Sequence, residues 1–342
     1  MRKATITDIA KELNLTPSTV SRALNGSSLV KQETKEAVET KEAVEAKAKD
    51  MGYVRNVMAS NLRKGVAQTV GIIVPRINRQ FFSNVISGAE SVLNDAGYNV
   101  LICQTEERYE KEVYAIDTLL WNQVAGILIS HSIETSDTSH LSKALNSNVR
   151  LVQFDRVFYN IPDVKVVNDN YHGAYTATKH LIDNGYTRIG TLAGYMTSAQ
   201  YRERLEGYKR ALLDAGKEVD ERLIFKDTII RETGYARARE ALDMGCDAMY
   251  SAGDFSALGA MLAAKEKGLK IPDDFGIVGT ANENFTELMT PSMSSISLKP
   301  YQMGKAAAQA FLNDDGSNPD SMITIEMELM KRESSNRHKG SK

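Results

Sequence analysis

From residue 70 to residue 279, short apolar runs alternate with amphipathic stretches, and that alternation leaves few folds open. VGIIVP (70–75) reads as a buried strand, and NVLICQ (99–104), GILIS (126–130), VRLVQFD (149–155) and VKVVN (164–168) continue as strands. An uninterrupted β-branched run suits a strand covered on both faces. RIGTLAG (188–194), DAMYSAG (247–253) and GIVG (276–279) continue the series. Between the strands the spacing predicts helices near 82–96, 109–122, 172–184, 201–215, 233–243 and 254–267. Gly97, Gly185 and Gly268 stand where three of these must stop. Strands alternating with helices dictate parallel sheets with helices on both faces. The series exceeds one open sheet of ordinary size, so two α/β lobes are expected, with a ligand cleft beyond the carboxyl ends of the strands.

Residues 5–25, TITDIAKELNLTPSTVSRALN, follow a different rule. Ile6, Ile9, Ala10 and Leu13 fall on one helical face, and Asn14 suits the left-handed position that ends a helix. Thr16 is a good N-cap, and Pro17 suits the first helical position, where a missing N–H costs nothing. The second helix is expected to bury Val20, Ala23 and Leu24. Its other face then offers Thr16, Ser18, Thr19, Ser21 and Arg22, the short polar and basic groups of a helix that enters a major groove. The segment reads as a helix-turn-helix.

Charge is distributed accordingly. Residues 1–65 carry twelve Lys and Arg against eight Asp and Glu, and the remainder carries thirty against thirty-six. A basic head on an acidic body suits a protein that presents one end to a polyanion. No apolar run reaches membrane-spanning length and no secretion signal opens the chain, so a cytoplasmic protein is expected. Cys103 and Cys246 lie far apart without metal spacing and read as reduced thiols.

Taken in order, DIAKELNLTPSTVSRALN, NVMASNL (56–62), VGIIVP, FFSNVISGAE (81–90), AGYNVLI (96–102), QVAGILIS (123–130), FDR (154–156), HLIDNGYTRIGTLAG (180–194), RLEGYKRAL (204–212), GDFSALGA (253–260), LKIPDDFGIVG (269–279) and KRESS (331–335) form a specific set. The chain resembles the LacI/GalR family of bacterial transcription regulators along nearly its whole length. That resemblance implies a helix-turn-helix headpiece (1–55), a hinge helix and linker (56–65), and a two-lobed core (66–336) resembling periplasmic binding proteins. A polar tail (337–342) follows. The lobes are expected at about 66–163 with 295–322, and 164–294 with 323–336. A homodimer on a pseudo-palindromic operator is implied, with a small-molecule effector, a carbohydrate or related metabolite, in the interlobe cleft.

By the same resemblance Thr5, Thr16, Pro17, Ser18, Thr19, Ser21, Arg22 and Asn25 occupy DNA-contacting positions. Asn56, Ala59 and Leu62 belong to the hinge helix, with Leu62 wedged into the minor groove. Arg22 alone in the motif can bind guanine bidentately. Phe81, Phe82, Asp155, Arg204, Asp254 and Asn282 are the expected effector contacts. Asn282 is a substitute for the acidic residue that Ala281 replaces, and Asp254 is alternatively a plain N-cap. Ile230 stands at a position that is often aromatic. His172 and His180 read as surface or satisfied residues. No metal or cofactor is expected.

The chain departs from the family in a tandem repeat. ETKEAV at 33–38 recurs at 39–44, about six residues more than the family carries. Six residues turn an α-helix by about 600°, leaving its ends roughly 120° out of register. Val44, Ala48 and Met51, which lead directly to Tyr53, are expected to keep the docking face while the surplus projects. Arg55 replaces a frequent proline.

Two function classes follow: a ligand-responsive transcription regulator acting as a repressor at the nucleoid, or a cytosolic small-molecule binder whose headpiece the repeat has impaired. An enzyme is not supported. No phosphate-cradling GxGxxG or GK[ST] segment occurs, and five scattered histidines form no legible triad.

Overall fold

A computed structural model describes residues 4–25, 35–53, 68–147, 149–313 and 321–337. The chain divides into two compact units, 1–66 and 67–342.

In the first unit α1 (Ile6–Glu12), α2 (Pro17–Asn25) and α3 (Lys35–Asp50) pack around one small core. Ile9, Val20 and Val44 are completely buried, Ala10 and Ala48 nearly so, and Met51 and Tyr53 close the edge. Val44, Ala48 and Met51 therefore hold the docking face. The helix reaches back to Lys35, so part of the first ETKEAV copy is helical. Three apolar residues spaced four and three apart suffice to dock the helix, and its Glu, Lys and Ala content favours the added turns.

The second unit contains two six-stranded sheets. The first is built from β1 (Thr69–Val74), β2 (Asn99–Gln104), β3 (Gly126–Ile129), β4 (Arg150–Phe154), β5 (Val164–Asn168) and β11 (Met322–Ile325). Their order is β11-β5-β4-β3-β1-β2, all parallel. Val70, Ile72 and Val74 face α4 (Gln80–Asp95) and α12 (Pro300–Asn313). Ile73, Ile127 and Ile129 face α5 (Tyr109–Trp121) and α6 (Ser139–Asn146) on the other side. Helices α4 and α12 pack backbone to backbone, because a Cβ on Gly304 would lie 1.9 Å from the Val85 carbonyl oxygen.

The second sheet has the order β12-β10-β9-β8-β6-β7. Its strands are β6 (Ile189–Leu192), β7 (Ile224–Phe225), β8 (Ala248–Ser251), β9 (Gly276–Ala281), β10 (Ser294–Ser297) and β12 (Glu328–Met330), the last antiparallel to β10. Helices α7 (Asn170–Asp183) and α8 (Ala199–Asp214) cover one face, and α9 (Arg231–Asp243), α10 (Asp254–Glu266) and the single turn α11 (Phe285–Leu288) the other.

This pairing corrects the lobe boundaries expected from sequence. VKVVN (164–168) belongs to the first sheet, where it bonds to both β4 and β11, and Ser294–Ser297 belongs to the second. The chain crosses between sheets near residues 169, 298 and 326. The buried Asn168 amide ties these crossings together. Its Nδ2 donates to the Leu298 carbonyl at 2.9 Å and to the Ile325 carbonyl at 3.4 Å.

Candidate functional site

In the helix-turn-helix, local chemistry fixes each turn. Thr5 caps α1 reciprocally with Asp8: the Asp8 N–H donates to Thr5 Oγ1 at 3.3 Å, and the Thr5 N–H donates to Asp8 Oδ2 at 2.9 Å. This is a capping box, which satisfies orphan donors at a helix start. Asn14 takes the left-handed conformation at φ 56°, and the Leu15 N–H returns to the Ala10 carbonyl at 2.9 Å. Thr16 Oγ1 accepts the Thr19 N–H at 3.2 Å and sits within 2.8 Å of Ser18 Oγ and 2.9 Å of Thr19 Oγ1. Thr16, Pro17, Ser18 and Arg22 are exposed, whereas Thr19 and Ser21 are half-buried. Arg22 folds back along the helix, its Nε 3.3 Å from the Ser18 carbonyl. The side chain of Asn25 and all of Asn56, Ala59 and Leu62 lie outside the described residues.

In the two-lobed unit, a cavity of about 430 Å³ opens at the carboxyl ends of the strands of both sheets. This is the crevice where open α/β sheets bind ligands. Phe81 and Phe82 enter it from the start of α4, Asp155 from the end of β4, Arg204 from α8 and Asp254 from the start of α10. Ile230 and Ala281 line it as expected.

Asp155 stands out chemically. It holds a left-handed conformation at φ 58°, and its nearest partners are Ser130 Oγ at 3.4 Å and Arg156 Nε at 4.0 Å. Burial raises its pKa above the usual carboxylate range, against the pull of Arg156 and Arg204. Such a carboxylate gains from a ligand that donates hydrogen bonds. Arg204 is held by two acceptors, donating from Nε to Asn170 Oδ1 at 2.9 Å and from Nη1 to the Ala252 carbonyl at 3.0 Å.

Two expected contacts are placed differently. Asn282 does not line the cavity: its Oδ1 accepts from Arg332 Nη2 at 2.9 Å, and Glu283 faces the cavity instead. The turn after β9, with Ala281 at φ 122° and Asn282 at φ 54°, swings the amide toward the arginine. Asp254 lines the cavity, yet both its oxygens are engaged by protein, accepting from Ser295 Oγ at 2.6 Å and from the Glu283 N–H at 2.8 Å. Nor is it an N-cap, since Gly253 holds that position and Asp254 begins the helix. Burial drives its carboxyl up to about 7, against the hydrogen bonds from Ser295 and Glu283. Its place is to pin the end of β9 at the cavity wall.

Sequence reading missed the cationic rim. Arg156 stands in the FDR segment, and its guanidinium pairs with Glu107, with Nη1 donating to Oε2 at 2.6 Å. Arg76, Tyr201 and Phe255 line the same space, and Arg79 covers the Phe255 ring at 4.4 Å. Of these, only Arg156 in FDR and Phe255 in GDFSALGA stood in segments that carried a signal. His180 is satisfied, with Nε2 2.8 Å from Ser335 Oγ, and His172 is exposed on its helix.

A model of the bacterial regulatory proteins of the lacI family matches residues 5–56. A second, for periplasmic binding proteins and the sugar binding domain of the LacI family, matches residues 67–333. The chain belongs to the LacI family. It is a DNA-binding transcriptional regulator with a periplasmic-binding-protein-like core. Among its relatives the HTH-type transcriptional repressor PurR of Vibrio campbellii is 31% identical over 312 residues, covering 90% of this chain and 91% of that one. A transcriptional regulator CelR–cellobiose complex matches with a TM-score of 0.72 and 27% identity over 97% of this chain and 99% of that one. The lac repressor dimer bound to operator shares the fold at a TM-score of 0.83 and 22% identity, covering 98% and 99% of the two chains. These LacI-family relatives are transcription regulators rather than enzymes. Among the described residues no helix is long and apolar enough to cross a membrane.

Proposed function

We propose that this protein binds a pseudo-palindromic operator as a homodimer, represses transcription in the bacterial cytoplasm, and releases or holds the operator according to a small molecule in the interlobe cavity. Helix α2 reads the major groove. Arg22 is the residue able to form a bidentate contact to guanine, and Thr16, Pro17, Ser18, Thr19, Ser21 and Asn25 set its register. Thr5 meets the backbone, and the segment containing Asn56, Ala59 and Leu62 enters the minor groove. The protein catalyses no reaction.

One observation carries the reading of the core: Asp155 and Arg204 face one cavity from different lobes, between apolar walls at Phe81, Phe82 and Ile230. A hydroxyl-rich molecule offers donors for the carboxylate, acceptors for the guanidinium and apolar ring faces for the walls. A carbohydrate or a related metabolite fits that description, and cellobiose occupies the similar CelR structure. The alternative, a binder with an impaired headpiece, loses support because Val44 and Ala48 dock with the repeat in place.

The test is a panel of mono- and disaccharides screened by thermal shift against the full chain and Arg204→Ala. A sugar that stabilises the full chain, spares the variant and changes retention of duplex DNA establishes the reading. Ligands must act reciprocally on the two sites. Stabilisation equal in both proteins overturns the assigned cleft.

A further inference from the structure

Inside the first lobe a single carboxylate gathers four contacts. Glu112 Oε1 lies 2.7 Å from His131 Nδ1 and 2.9 Å from His140 Nε2. Its Oε2 accepts the Ser132 N–H at 2.6 Å and the Thr135 hydroxyl at 2.9 Å. Glu112 has no solvent exposure, and the two histidines have 2% each. Burial pushes the Glu112 carboxyl up, but the hydrogen bonds from His131 and His140 outweigh it, so its pKa is lowered.

The far side of the His131 ring is constrained as tightly. Nε2 lies 2.7 Å from Gln153 Oε1. The Gln153 amide fits in one orientation. Its Oε1 accepts the Phe158 N–H at 2.7 Å, while its Nε2 donates to the Phe158 carbonyl at 3.1 Å and to both Asp163 oxygens at 2.8 Å. Gln153 Oε1 therefore faces the ring as an acceptor, and His131 Nε2 carries a proton.

We propose that the buried Glu112, held by its hydrogen bond to His131, is a positioning residue for the wall of the effector cleft. Asp163, on the far side of Gln153, pairs with Lys165, whose Nζ lies 2.9 Å from Asp163 Oδ1. His140 on α6 is the remaining titratable neighbour, and Arg156 Nη1 donates to the His131 carbonyl at 3.2 Å. The link to the cleft is short. Ile133, two residues on, lines the cavity, and its N–H donates to Glu107 Oε2 at 2.9 Å, the carboxylate that holds Arg156. Glu112 thus fixes the peptide beside Ile133 through Ser132, while His131 fixes Glu112. This inference rests on the reading of the cavity as the effector site.

Glu112, His131 and His140 are also the one set among the described residues whose donor atoms cluster closely enough to hold a metal. Ligands at about 2.0 Å from a tetrahedral zinc stand roughly 3.3 Å apart. The observed 2.7 and 2.9 Å are hydrogen-bond separations, so protons join these groups.

The test is long-range proton–nitrogen NMR of the full chain labelled with ¹⁵N-histidine at pH 7, with His131 assigned through His131→Gln. His131 Nε2 is expected to be protonated, with its N–H proton visible and unaffected by EDTA or zinc chloride. An unprotonated Nε2, or stoichiometric zinc that removes that proton, overturns the proposal. Hydrogen exchange supplies the positioning readout. In Glu112→Gln the Ser132 and Ile133 amides are expected to exchange at least about tenfold faster, while amides of β6 and β9 keep their protection. Unchanged exchange at Ser132 and Ile133 overturns the positioning role. Neither measurement uses DNA or a cleft ligand, so its failure is separate from failure of the effector reading.

Discussion

Gln80 and Asn284 clasp one another across the mouth of the cleft. Gln80 Oε1 accepts the Asn284 N–H at 2.7 Å, and Gln80 Nε2 donates to Asn284 Oδ1 at 2.6 Å. Gln80 starts a helix of the first lobe, and Asn284 follows β9 of the second. The clasp at the lip and the Asn168 amide at the crossings thus both tie one lobe to the other.

Removing the clasp shifts the lobes toward an open arrangement. Two exposed hydrogen bonds are together worth about 1 kcal/mol, a factor of roughly five in the closed-to-open ratio. Gln80→Ala should raise the radius of gyration in small-angle scattering and leave the melting temperature within a few degrees. An unchanged scattering profile contradicts a role for the clasp in closure.

Asp254 makes stability depend on pH in a predictable sense. Its folded-state carboxyl is raised to about 7 from an ordinary 3.8. The stabilisation it provides is therefore full below about pH 4 and lost as pH rises through 7. Asp254→Asn keeps an acceptor for the Glu283 N–H and removes the titration. The variant's melting temperature should gain on the wild type between pH 4 and 7.5, and parallel curves would contradict the account.

Arg204→Lys tests the fork rather than the charge. Lysine cannot reach Asn170 Oδ1 and the Ala252 carbonyl together, so an acceptor buried beside the cavity loses its partner. A cost of about 1–3 kcal/mol is expected, read by urea unfolding.

Arg22→Ala should lower affinity for the selected operator about 10- to 100-fold, corresponding to one bidentate base contact of about 1–3 kcal/mol. Arg22 is exposed, so the unfolding midpoint should not move.

Sequence made VGIIVP and VKVVN legible because burial on both faces demands continuous apolar runs, and both appear within a residue of their expected positions. It did not reveal Ser294–Ser297 as a strand, since three of its four residues are serine. Their buried hydroxyls are satisfied from outside the strand, by Asp254 and by the Arg332 carbonyl, and no local pattern announces such partners. The same reason explains the lobe boundaries: sheet membership of residues 164–168 is decided by pairing with residues 322–325, far along the chain. Asp155 and Arg204 were legible through resemblance. Arg79 was not, because its partner Phe255 lies in the other lobe. The Asn282 expectation failed because a single positive-φ turn redirected the side chain.

The central claim is that the headpiece reads DNA with the ETKEAV repeat in place. Selection from random duplexes tests it directly, with the full chain beside a version lacking residues 39–44. The full chain should enrich a palindrome with two half-sites, and its binding should weaken steeply with salt. Enrichment by the shortened version alone, or by neither, would contradict that claim.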